Sequence, residues 1–249
     1  MKLIVTVITF NEAAHIAAAL DSVAWADEII VVDSGSTDET ITIARAKATH
    51  VITREWPGYS AQKNFAAEQA SNDWVLSMDA DERVTPALAA EIRQLLQSEP
   101  AARGYRIRRV TRYLGHWIRT TDWFPDYQLR LYDRRAGRWN ELRIHESFRL
   151  NGGTPGMLDG EMEHHAYRDV AHHVQKINHY TTLVVDQWIE EGRKASVPQI
   201  LLNPLLAFLR NYILRRGIVQ GATGLIISVL NSYYVFLKFA KLWERQHRG

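Results

Sequence analysis

Four short apolar runs, each followed by a turn and a helix-like stretch, dominate what this chain can fold into. Lys2–Phe10 (KLIVTVITF), Glu28–Asp33 (EIIVVD), His50–Arg54 and Trp74–Met78 (WVLSM) are rich in β-branched and large apolar side chains. The first two, apolar and without alternation, read as strands buried on both faces, His50–Arg54 as a short third strand and Trp74–Met78 as a fourth. Between them lie AAHIAAALDSV, the cap-and-helix stretch SGSTDETITIARAK, and a helical segment over Ser60–Ala70. Thr85 and Pro86 then open a helix that runs to about Ser98, with proline in its first turn. Strands alternating with helices at this spacing predict βαβ units and a mostly parallel sheet, an α/β fold. After Gly104 the pattern changes. Tyr105–Leu114, Gln128–Arg134 and Arg138–Glu141 alternate apolar with polar as half-exposed strands do, and Asp169–Arg193 reads as one long helix.

Composition narrows the classes. With 46% apolar and 23% charged residues, the 249-residue chain can bury a sizeable core. A net charge of +2 gives no footprint of a nucleic-acid binder. The absence of cysteine excludes disulfides and thiolate metal sites. Met1–Phe10 carries one lysine and no small-residue cleavage site, so it reads as a strand and not as a signal peptide. No Gly-rich phosphate loop occurs in 1–15 and no GxGxxG follows the first strand, which disfavours a sugar nucleotidyltransferase and a dinucleotide dehydrogenase.

The chemistry is concentrated where the strands end. Asp79 and Asp81 follow WVLSM directly, and in extended backbone residues two apart point the same way. Ligands of open α/β sheets bind at that edge. Paired carboxylates there suit a hard divalent cation, which neutralises a diphosphate. Acids after a strand also cap helices, so Asp-x-Asp alone is not specific. Asp33 ends a second strand, and Thr9, Asn11 and Glu12 end the first. Three strands finishing in polar groups at one edge is an arrangement a purely structural sheet seldom repeats.

The motifs VITFNE (7–12), VVDSGSTDET (31–40), GYSAQKNFA (58–66) and DWVLSMDADE (73–82) resemble those of family 2 glycosyltransferases of the GT-A fold. The likeness continues more loosely through DYQLRLY (126–132) and RIHES (143–147), and its details are similar to the bacterial branch that builds lipopolysaccharide core. That resemblance implies a GT-A-like domain over 1–195 and an inverting transfer of a hexose, glucose, from a UDP-sugar to an inner-core heptose of a lipid-linked saccharide. It implies that Asp33 holds the uracil, that Thr9, Asn11 and Glu12 line the nucleoside pocket, and that Lys63 and Asn64 lie near the nucleotide, with Lys63 able to offset phosphate charge. Asp79 would meet the ribose or a metal-bound water, and Asp81 would ligate Mg²⁺ or Mn²⁺ with His164 as a further ligand. An inverting transfer needs a general base opposite the leaving group. Glu146 in RIHES is the first candidate, and Asp126, with Asp122 behind it, the second. His145 would orient Glu146 or bind substrate. Arg130 would meet a phosphate on donor or acceptor, or else lie solvated on an alternating strand. Two other readings remain: transfer to a polyprenyl phosphate, whose anionic acceptor needs no base, and a non-catalytic interaction protein that keeps the fold.

From about 196 the composition shifts to a helical tail. Leu205, Leu206, Phe208, Leu209, Tyr212 and Ile213 share one helical face, with Arg210, Arg215 and Arg216 around it. Gly221–Leu237 is uncharged and is followed by Lys238, Lys241 and Arg245. A basic amphipathic tail of this kind is expected to dip into the cytoplasmic face of the inner membrane, as a peripheral hairpin and not a span.

Overall fold

A computed structural model describes residues 1–140 and 146–248. They form two compact units, Met1–Val110 with Asp126–His165, and Thr111–Pro125 with Ala166–Gly249.

In the first unit the four apolar runs are strands: β1 (Leu3–Thr9), β2 (Glu28–Asp33), β3 (His50–Thr53) and β4 (Trp74–Asp79). The intervening segments are helices α1 (Ile16–Asp21), α2 (Thr40–Arg45) and α3 (Tyr59–Glu68). They are followed by β5 (Glu82–Val84) and α4 (Pro86–Leu95), whose Thr85 side chain caps Leu88 N. The order β3-β2-β1-β4 is parallel throughout. Its register pairs Thr9 with Asp33 and Ile8 with Asp79, so β1, β2 and β4 end level with one another.

The half-exposed runs fall on β6 (Gly104–Tyr113), β8 (Asp126–Asp133) and β9 (Gly137–Trp139). With β7 (His116–Ile118), β10 (Phe148–Leu150) and β11 (Gly156–His164) they are the strands that pair antiparallel. β8 lies beside β4, with β6 beyond it, and among the described residues β9 pairs with β10 alone. Leu76, Val7, Leu88, Ile92 and Met162 fill one side of the sheet; Ile8, Val32, Val75 and Tyr132 fill the other. β11 passes so close to α4 that a Cβ at Gly160 would lie 2.5 Å from Leu88 Cα, which only glycine permits.

Three short strands, β5, β7 and β10, escape the hydrophobic pattern because three residues carry no period. The second unit also starts earlier than the composition shift near 196. Its long helix α5 (Val170–Glu190) packs on α7 (Gly221–His247), and α6 (Val197–Leu209) packs on α7 as well. Lys241 clamps that contact, its Nζ lying 2.7–2.9 Å from four acceptors for its three N–H donors, Asn178 O, Asn178 Oδ1, Thr181 Oγ1 and Thr182 Oγ1. α6 runs through a π turn (Arg210–Leu214) and a 3₁₀ turn (Gly217–Gln220) into α7. A Cβ on Gly224 would come within 1.8 Å of Gly217 O, so this crossing needs both glycines.

A buried aromatic group, Tyr113 and His173 with Trp123 and Tyr167, sits in the same unit. His173 Nδ1 lies 3.1 Å from Tyr113 Oη. Burial pushes the His173 imidazole down to about 4, and the charges of Lys176 and His172 add to that. The unfolded chain binds this proton near pH 6.5 and the folded chain does not, so stability falls as pH drops through that window. Wild type is expected to lose about 2 kcal/mol more than His173→Gln between pH 7 and pH 5 in denaturant titrations. Equal losses in the two proteins would contradict it.

Candidate active site

The loops after β1 and β2 interlock. Asn11 sits at φ 52°. Its backbone N–H donates to Ser36 Oγ at 2.8 Å, and its Oδ1 accepts from Thr37 N at 2.9 Å. Glu12 N donates to Thr40 Oγ1 at 2.8 Å. Asp33 is fully buried, and its Oδ2 accepts from both Gly35 N and Ser36 N at 2.8 Å. This carboxylate therefore builds the turn that follows its own strand. Thr9 Oγ1, paired in register with Asp33, is buried without a hydrogen-bond partner.

At the end of β4 a chain of alternating charges begins. Lys63, on α3, has no exposed surface; its Nζ lies 3.0 Å from Asp79 Oδ1 and 3.2 Å from Glu146 Oε1. On the other side, Arg130 Nη2 meets Asp79 Oδ2 and Glu82 Oε1, both at 2.8 Å. Glu82, wholly buried, accepts from Asp79 N at 2.9 Å and from Arg109 Nη1 at 3.0 Å. Arg109 Nε and Nη2 each lie 2.8 Å from Asp126 Oδ2, and Gln128 Nε2 occupies Asp126 Oδ1 at 2.6 Å. The order is Glu146, Lys63, Asp79, Arg130, Glu82, Arg109, Asp126.

At Asp79, Arg109, Asp126 and Arg130 burial works against the charge, and the neighbours outweigh it. Lys63 and Arg130 hold the Asp79 carboxyl well below the usual carboxylate range. Arg109, Gln128 and His164 also lower the Asp126 carboxyl from its ordinary value despite its burial. Glu82 with Asp126, and Glu82 with Asp79, raise the Arg109 and Arg130 guanidiniums above their ordinary value against desolvation. Arg130 is thus no solvated strand residue: it is 3% exposed, its Nε and Nη1 have no hydrogen-bond partner among the described residues, and its Cζ lies 5.8 Å over the Trp139 ring.

Glu146 owes its place to a hairpin. β9 and β10 pair Trp139 with Phe148. The neck is closed by Asn140 and Ser147, with N–H to O at 3.0 Å, Nδ2 to Oγ at 3.1 Å, and Ser147 N to Asn140 Oδ1 at 3.2 Å. Glu146 directly precedes that neck. Asn64 grips the same hairpin through the backbone of Trp139, accepting from its N at 2.9 Å and donating to its O at 3.1 Å. His145 lies outside the described residues.

Asp81 and His164 meet through strand register. β11 runs antiparallel to β5 with His164 opposite Glu82, and His165 N donates to Asp81 O at 2.8 Å. Asp81 Oδ2 then lies 3.5 Å from His164 Nε2, each side chain 15% exposed. Two donors this far apart can share one cation at the ~2.1 Å distances typical of Mg²⁺ and imidazole ligation. Among the described residues no group of three or more His, Asp or Glu is placed to hold a metal. The pair thus fits an ion that takes most of its ligands from water and phosphate, as Mg²⁺ does.

Glu82 and Arg109 are the members that sequence reasoning missed. Glu82 is the fourth residue of DADE, and Arg109 sits on an alternating strand, where a charged residue ordinarily faces water. Asp122 stands apart from Asp126 in the division of the chain into units. It belongs to the helical unit, where Arg210 and Asn211 donate to it.

The model of glycosyl transferase family 2 matches residues 4–153. The lipopolysaccharide core biosynthesis glycosyltransferase LpsC of Rhizobium meliloti is 30% identical over 246 residues, covering 96% of this chain and 91% of that one. An uncharacterized glycosyltransferase of Rickettsia prowazekii is 33% identical over 254 residues, covering 97% of this chain and 87% of its own. Among solved structures, Staphylococcus aureus TarS 1–349 is similar in fold, with a TM-score of 0.50 and 15% identity over 97% of this chain and 92% of that one.

Proposed function

This chain belongs to glycosyl transferase family 2, and on that premise we propose that it moves a hexose, glucose, with inversion from a UDP-sugar to a lipid-linked saccharide. The acceptor is an inner-core heptose of lipopolysaccharide, a reading supported by the likeness to the core glycosyltransferase of Rhizobium meliloti. The observation that carries the proposal is the ion-paired run Glu146–Lys63–Asp79 beside the Asp81–His164 pair. It sets a half-buried carboxylate one side chain away from the strand end where a diphosphate binds.

Glu146 accepts the proton of the acceptor hydroxyl as that oxygen forms its bond to the anomeric carbon. The bond from that carbon to the UDP oxygen breaks, and UDP departs on the opposite face. Asp126 is the weaker candidate, since Arg109 and Gln128 already occupy both of its oxygens. Asp81 and His164 would hold Mg²⁺ or Mn²⁺, which when bound offsets the charge of the departing diphosphate. Asn11, Glu12 and Thr9 line the nucleoside side of the cleft, and Asp33 shapes it.

Turnover of a panel of UDP-sugars on a heptose-bearing core acceptor tests the reading. Transfer from UDP-glucose supports it. Transfer to a polyprenyl phosphate by both wild type and Glu146→Gln would replace it with the lipid-phosphate reading. No binding of any UDP-sugar would mark a non-catalytic protein.

We assign the enzyme to the cytoplasmic face of the inner membrane, held there by its helical unit. Leu201, Leu202, Leu205, Leu206, Leu209 and Ile213 are each more than half exposed, and Leu214 is 77% exposed. An apolar stripe this long on water is costly, and lipid removes that cost. The only charges between Val197 and Leu237 are Arg210, Arg215 and Arg216. Residues Gly217–His247 are also long and apolar enough to cross a membrane by length and composition. Leu205→Glu with Leu206→Glu is expected to abolish flotation with vesicles rich in anionic phospholipid. Unchanged flotation would contradict the assignment.

A further inference from the structure

We propose that Lys63 is a positioning residue for Glu146 and not a ligand of the donor phosphates; the proposal rests on the reading of Glu146 as base. A lysine that met phosphate would need an exposed ammonium. Lys63 has none, and its Nζ is already shared between Asp79 Oδ1 at 3.0 Å and Glu146 Oε1 at 3.2 Å. The third side of the ammonium faces the Trp139 ring, 4.6 Å from its centroid. Trp139 is held in turn by Asn64, the next residue on α3, through both its backbone N and O. Neighbouring α3 residues thus grip the β9–β10 hairpin twice. Asn64 fixes its backbone. Lys63 stacks on its tryptophan and binds the carboxylate just before Ser147. Asp79 ends β4, so the ammonium sets the distance between the base and the strand end that faces the nucleotide.

The arrangement has a consequence for selectivity between roles. A buried cation shared between two carboxylates cannot turn to a ligand without uncoupling Glu146 from Asp79, which keeps Arg130 as its other partner. Lys63 therefore acts through Glu146. A base held one ångström out of line can lose ~10²-fold in rate.

The test is a double-mutant cycle on the full-length enzyme with Lys63→Met and Glu146→Gln, read by turnover, by calorimetric UDP binding and by thermal melting. Lys63→Met is expected to lower kcat by about 10²-fold with UDP affinity unchanged, and to add nothing in the Glu146→Gln background. Lys63→Gln, which keeps N–H donors without the charge, should give the same pattern. A drop of about tenfold or more in UDP affinity would make Lys63 a phosphate ligand after all. Losses that multiply in the double variant would show independent roles and overturn the proposal while leaving Glu146 as base. Failure of both Lys63 variants to fold would overturn it too, marking the residue as structural. Full turnover by Glu146→Gln alone would instead remove the base reading on which it stands.

Discussion

Glu146→Gln is expected to lower turnover by about 10²–10⁴-fold while UDP-sugar binding stays intact. The amide is nearly isosteric with the carboxylate. Its oxygen can still accept from Lys63, so the hairpin neck made by Asn140 and Ser147 should keep its shape. What is lost is the capacity to take a proton from the acceptor hydroxyl. Asp126→Asn provides the contrast: its carboxylate is committed to Arg109 and Gln128, so its loss should show in stability more than in the proton-transfer step. Initial rates at saturating donor and acceptor, with donor affinity measured separately, distinguish the two. Near-normal kcat in Glu146→Gln would end the assignment.

The second large effect is expected from Asp81→Ala and, equally, from stripping divalent cations with a chelator. Each should lower kcat by about 10²–10³-fold, the scale on which one preorganised charge stabiliser acts on a departing anion. The cation is expected to restore wild type and to leave Asp81→Ala nearly unchanged. His164→Ala should fall between, since it removes one of two protein donors 3.5 Å apart and leaves the carboxylate. Rates measured across a Mn²⁺ titration check this. A variant whose metal dependence matched that of wild type would place the ion elsewhere.

Much of the first unit was legible in the sequence because its strands are apolar runs that stop at acids. Asp33 and Asp79 end β2 and β4 as EIIVVD and WVLSMD suggest, and the register sets both level with the end of β1. The proximity of Asp81 to His164 has no such signal. Nothing in the spacing between them announces it. It comes from antiparallel β5 and β11, and β5 is too short to show a period. Glu82 and Arg109 were hidden by a reliable habit, that charged residues face water. They escape it because opposite charges from other strands meet them: Arg109 faces Asp126 in register, and Glu82 meets Arg109 and Arg130 from strands that are not its neighbours, neither of which shows in one dimension. Arg130 was left between two readings for the same reason. In the tail, α5 was recognisable as a helix, but its membership in the helical unit depends on packing against α7, which no one-dimensional pattern records.

The most direct test of the whole account is a calorimetric titration of UDP into the wild-type enzyme with and without Mn²⁺. If Asp81 and His164 hold a cation that grips the diphosphate, Mn²⁺ should tighten UDP by about 5–150-fold, and Asp81→Ala should erase the difference. Equal affinity in the presence and absence of the ion would contradict the account.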